Sequence, residues 1–66
     1  MKLVINGEEK ELASPLSLAA LVQQLGMTPE RVAVELNRSI VARGDWSKTE
    51  LHAGDRLEIV HFVGGG

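Results

Sequence analysis

Three consecutive glycines, Gly64-Gly65-Gly66, follow an apolar, strand-like run from Leu57 to Val63, and the sequence stops there. With Gly66 as the terminus, the chain offers an α-carboxylate on a stalk that carries no side chains. Glycine lacks a Cβ and loses more conformational freedom on ordering than any other residue, so three in a row make a poor structural ending. They suit an enzyme that must draw the carboxylate into a narrow site, because nothing along the stalk clashes. The plain alternative is a frayed end or a leftover linker.

A free carboxylate is a poor electrophile: attack adds charge to an anionic, resonance-stabilised group and must expel oxide. Conversion by ATP to an acyl adenylate neutralises it and supplies a good leaving group. The ATP, the magnesium and the transition-state stabilisation then belong to a separate enzyme, and this chain binds no cofactor permanently. A sulfur nucleophile would leave a C-terminal thiocarboxylate; a lysine amine of another protein would leave an isopeptide bond. The chain has no cysteine, so sulfur carried as a side-chain persulfide is impossible and any such cargo must ride on Gly66.

The side chains offer less. His52 and His61 have no cysteine to join them and no evident shared face, so a metal site built from them with Asp55 or Glu50 is disfavoured. Ser14, Ser17, Thr28, Ser39, Ser47 and Thr49 are the candidate nucleophiles, and none has a sequence-local base. Asp45, Glu50 and Asp55 read as turn and helix-end residues rather than as acid–base partners. The glycine run has no following lysine and helix, so it is no phosphate loop. The chain is therefore expected to be no enzyme, but a co-substrate on which partner enzymes act.

The elements that must position this end are legible in the patterning. Leu3-Val4-Ile5 reads as a strand, and Asn6-Gly7 as a two-residue hairpin turn leading to a polar return arm, Glu8 to Leu12, with one wet face. Ser17 is placed to cap a helix of about eight residues. Leu16 and Leu21 have the spacing of a hydrophobic staple. Leu18, Leu21, Val22 and Leu25 form an apolar stripe, and Gly26 is a left-handed stop. Met27 to Glu30 is a connection. Val32, Val34 and Leu36 alternate as a strand with one buried face. Asn37-Arg38-Ser39 reads as a turn into the short apolar pair Ile40-Val41. A helical turn follows from Gly44 to Glu50, with Trp46 covering one end of the core. His52 to Asp55 turns into a last strand, Arg56 to Phe62.

Strands, one helix and more strands imply an α+β domain, a single helix packed on a small mixed sheet. On the last strand Leu57, Ile59 and His61 share one face, and Glu58, Val60 and Phe62 the other. With the first set toward the helix, Val60 and Phe62 form an exposed apolar pair beside the tail, a candidate docking surface for partners. Tucking against local loops is the competing reading.

Size and charge bound the rest. Sixty-six residues make one domain, 1–66, with a flexible tail at 63–66. A chain this short buries only about 60% of its unfolded surface, which leaves little room for an internal catalytic pocket. Seven Lys and Arg stand against nine Asp and Glu, and the only aromatics are Trp46 and Phe62. No basic stripe is present, which argues against nucleic acid. The Glu8-Glu9-Lys10-Glu11 run reads as a solvated strand edge rather than as a steering patch. The absence of a secretory leader or a long apolar run argues against a membrane and points to the cytoplasm.

Taken in order, these pieces resemble the ThiS family of sulfur carriers, small ubiquitin-like β-grasp domains, over nearly the whole chain. The likeness rests on Asn6-Gly7-Glu8, Leu21 to Gly26, Val32-Ala33-Val34-Glu35-Leu36-Asn37, Ile40-Val41 before Arg43, Leu51 with Gly54-Asp55, Glu58-Ile59-Val60 and the glycine end. It implies a role in making the thiazole ring of thiamine. A ThiF-like adenylyltransferase would adenylate Gly66, with Gly65 completing the diglycine end. A desulfurase or sulfurtransferase would supply sulfur for the thiocarboxylate, and a ThiG-type thiazole synthase would receive it. Ala42 stands where many relatives have proline, a change of turn stiffness. The small subunit of molybdopterin synthase is the nearest competitor, but such chains tend to be longer. A ubiquitin-like modifier forming isopeptide bonds and a non-covalent β-grasp binding module are the further alternatives.

Overall fold

The computed structural model describes residues 1–62. The glycines and the 63–66 tail expected from the sequence therefore lie outside the described residues. Five strands form one sheet in the order β2-β1-β5-β3-β4. They are β1 (Lys2–Ile5), β2 (Glu8–Glu11), β3 (Val32–Leu36), β4 (Ser39–Ile40) and β5 (Arg56–His61), with one helix, α1 (Leu18–Gln24), between β2 and β3. The β1–β5 pairing is parallel and the other three are antiparallel. The expected α+β domain, one helix on a mixed sheet, is what forms.

Both hairpins turn on pairs of left-handed residues. Asn6 and Gly7 have φ of 51° and 82°, and Asn37 and Arg38 have φ of 50° and 75°. Two successive positive φ values match the right-handed twist of the flanking strands, and asparagine enters that region more easily than most residues. The second turn is tighter than the sequence suggests: Ser39 already pairs with Leu36, so β4 is Ser39–Ile40 rather than Ile40-Val41.

The helix forms where its caps dictate. Ser17 Oγ accepts from the Ala20 amide at 3.1 Å, and Leu16 and Leu21, either side of the first turn, are both buried. At the far end Met27 N–H donates to the Val22 carbonyl at 3.2 Å and Gly26 N–H to the Gln23 carbonyl at 3.0 Å. That bonding pattern, with Gly26 at φ 74°, is a Schellman stop, and it ends the helix at seven residues. Leu18 N–H donates to the Thr49 carbonyl and Leu51 N–H to the Leu16 carbonyl. These two bonds stitch the helix start to the stretch that follows the 3-10 segment Arg43–Lys48.

The core lies between α1 and one face of the sheet. Leu3 and Ile5 of β1, Val32 and Val34 of β3, and Leu57 and Ile59 of β5 meet Leu18, Leu21 and Val22 of α1. Trp46 closes one end, as expected, and satisfies its indole by donating from Nε1 to the Val41 carbonyl at 2.9 Å. The return arm differs from expectation: all four residues of β2 are exposed, so neither face is dry. It is a charged edge strand, a composition that discourages pairing with another chain. Its Glu11 carboxylate sits 2.9 Å from the Met1 ammonium, whose hydrogen bond and charge hold the Glu11 carboxyl below the usual range. No helix among the described residues is long and apolar enough to cross a membrane.

Candidate docking face at the end of the last strand

Alternation along β5 decides which side chains are left for partners. Leu57 and Ile59 are 2% and 6% exposed on the helix side, whereas Val60 and Phe62 are 58% and 51% exposed. Of the two readings open from the sequence, the exposed one is what the fold produces. His61 follows the parity of Leu57 and Ile59 but lies past the cover of the helix and is exposed.

Register places the neighbours. Ala33 stands opposite Val60 and Glu35 opposite Glu58, and Ile40 stands opposite Glu35 on the outer strand. In-register residues share a face, so Ile40, Glu35, Glu58, Ala33 and Val60 form one outward surface. Ile40, at 78%, is the most exposed large apolar residue of the described chain. Phe62 N–H donates to the Arg31 carbonyl at 2.7 Å, which carries the β3–β5 ladder past the end of β5. Toward the other end of β5, Val4, Glu35, Asn37, Arg38, Arg56 and Glu58 line a shallow concavity of about 400 Å³. The outward surface around Val60 thus combines the exposed apolar side chains of Ile40, Val60 and Phe62 with the carboxylates of Glu35 and Glu58, and the concavity lies apart from the exposed Val60–Phe62 pair.

Among the other residues singled out from the sequence, Ser17, Thr49 and Asp55 have their side chains hydrogen-bonded within the fold. Asp55 Oδ2 accepts from the His52 amide at 2.7 Å and its Oδ1 from Asn37 Nδ2 at 3.0 Å, so this carboxylate is taken up by its turn. His52 Nδ1 is 4.0 Å from that same carboxylate, while His61 stands at the opposite end of β5. Among the described residues no group of three or more His, Asp or Glu side chains could hold a metal. Asp45 is 3.6 Å from Lys48 within the 3-10 segment and caps nothing catalytic. Gly64, Gly65 and Gly66 lie outside the described residues.

One residue near this face has a part that sequence reasoning did not find. Asn6 reads as a turn former, yet its side chain bonds both main-chain groups of Ile59, across 53 residues. The Asn6-Gly7 pair announces the turn; no local pattern announces so distant a contact.

With this geometry in hand, the likeness to known proteins is informative. The model of the ThiS family matches residues 3–66. The thiazole synthase of Paramagnetospirillum magneticum is 46% identical over all of this chain, which spans only 20% of that protein's length. An uncharacterised protein, ycf40, of Pyropia yezoensis is 42% identical over 62 residues and is covered to 87% of its length. The crystal structure of the thiamine biosynthesis protein (ThiS) of Geobacter metallireducens superposes with a TM-score of 0.86, at 33% identity and over the full length of both chains. A family match over nearly every residue and a shared β-grasp fold agree with the sequence patterning: the chain belongs to the ThiS family.

Proposed function

We propose that the chain carries sulfur on the carboxylate of Gly66 for formation of the thiamine thiazole. A ThiF-like enzyme joins this carboxylate to AMP and releases pyrophosphate. The outer sulfur of a persulfide on a desulfurase or sulfurtransferase then displaces AMP, and a thiol reductant cleaves the resulting acyl disulfide to leave the thiocarboxylate. A ThiG-type thiazole synthase takes the sulfur. The described residues supply recognition: Val60 and Phe62 dock the partners, and the folded body holds β5, from which the chain continues to the glycines.

The observation that carries this reading is the juxtaposition of an exposed apolar pair with the glycine end. Burying a valine or phenylalanine side chain is worth roughly 1.5–3 kcal/mol each. The fold leaves that gain uncollected at the last residues before the glycines. The chain's likeness to a 20% stretch of a thiazole synthase supports the pathway.

The test is intact mass after incubation with ATP, magnesium, a ThiF-like enzyme and a sulfur source. The expected result is a mass gain equal to the exchange of one oxygen for sulfur, absent from a chain lacking Gly65 and Gly66. Covalent conjugates to lysines would instead identify a protein modifier. No mass change with an enzyme active on its own carrier would overturn the proposal.

A further inference from the structure

We infer that Asn6 is a positioning residue, one that holds the end of β5 in the geometry offered to the activating enzyme; this rests on the carrier function proposed above. The argument starts from the parallel β1–β5 ladder. Val4 N–H donates to the Asp55 carbonyl at 3.0 Å and Asn6 N–H to the Leu57 carbonyl at 2.8 Å. In a parallel ladder the next rung would run from Ile59 N–H to the main-chain carbonyl of Asn6. At that point β1 ends and the chain turns back into β2, with Asn6 at φ 51°. Its side chain completes the rung. Oδ1 accepts from Ile59 N–H at 2.7 Å and Nδ2 donates to the Ile59 carbonyl at 3.1 Å. A carboxamide is the side-chain group that presents one acceptor and one donor in the manner of a peptide bond, and asparagine also tolerates the left-handed backbone the turn demands.

Position gives this clamp its consequence. Ile59 is followed by Val60, His61 and Phe62, whose main-chain bonding in this region comes from the β3 side, ending with Phe62 N–H on the Arg31 carbonyl. Asn6 is thus the last tie from the β1 side before the residues that dock and the glycines that react. Asn37 offers an internal control. It too has positive φ, and it too bonds β5, its Oδ1 accepting from Arg56 N–H at 3.0 Å. That bond holds the start of β5, away from the docking pair. Without the Asn6 clamp, the Ile59–Phe62 segment gains freedom that must be lost again on docking, a cost that falls on KM rather than on kcat.

The experiment measures ATP-dependent pyrophosphate exchange by a ThiF-like enzyme against carrier concentration. It compares wild type, Asn6→Gly, Asn6→Asp and Asn37→Gly below the melting temperature of each, with amide hydrogen exchange on the same samples. Asn6→Gly keeps the turn and deletes both bonds: KM should rise roughly tenfold with kcat unchanged, and amides from Ile59 to Phe62 should exchange faster. Asn6→Asp retains the acceptor alone, and a rise of about threefold is expected from the surviving bond; it serves the same comparison if the glycine variant folds poorly. Asn37→Gly should lower the melting temperature with KM unchanged. Wild-type KM in both Asn6 variants, or an equal rise in Asn37→Gly, overturns the positioning role. Wild type that is not adenylated overturns the carrier function itself, and that failure shows before any variant is compared.

Discussion

The two faces of one sheet have been put to opposite uses. Toward the helix, Leu3, Ile5, Val34, Leu57 and Ile59 are all but sealed from water. On the reverse face, one residue further along the same strands, stand Val60, Glu58 and Glu35, with Ile40 beyond them. The strand period of two makes this separation automatic, so a single strand serves the core with one parity and leaves the other parity open to solvent. Glu35 directly opposite Glu58 is a like-charge pair, an arrangement that costs rather than contributes stability. A face that tolerates exposed apolar groups and a repulsive pair is under some demand other than folding.

Substitutions on the two faces should therefore separate cleanly. The largest loss of stability belongs to the sealed side: Leu21→Ala, at a fully buried helix position, should cost about 2–5 kcal/mol in chemical denaturation. On the open side, Val60→Asp and Phe62→Asp should each change stability by less than about 1 kcal/mol while weakening binding to a ThiF-like enzyme about tenfold or more. Titration calorimetry beside a melt of the same samples would show it. If these variants unfold the domain, or bind as wild type does, the contrast between the faces collapses. The smallest effect lies off both faces. Glu11 has its carboxyl lowered by the Met1 ammonium, so the pair stabilises the fold above the ordinary glutamate range, and that contribution is lost as pH falls through the lowered value. Glu11→Gln should accordingly be slightly less stable than wild type at neutral pH, and the two stability curves should converge in acid.

What could be read from the sequence was whatever local spacing encodes. Ser17, the Leu16–Leu21 staple and Gly26 set the helix, and the parity of Leu57, Ile59 and Val60 set the faces of β5. Local spacing failed where the cause is distant. β2 read as having one wet face, whereas in the fold it is an edge strand, paired only with β1, and all four of its residues are exposed. The second hairpin carries Arg38 at φ 75°, a residue that gives no turn signal there, and so the boundary of β4 slipped by a residue. The parallel β1–β5 pairing joins segments some fifty residues apart, and the Asn6 clamp depends on it. Of the candidate site, the exposure of Val60 and Phe62 was legible and the bonds from Asn6 to Ile59 were not.

The strand that leads to the glycine end occupies the middle of the sheet, not its margin. Take away Arg56–His61 and the two hairpins, β1–β2 and β3–β4, lose the only strand that both of them pair with. Such a fragment has no sheet left to fold and no outward face to show. If the proposed docking holds, an activating enzyme that docks on that face would spend nucleotide only on molecules whose architecture is already finished, and would leave abortive or unravelled copies alone.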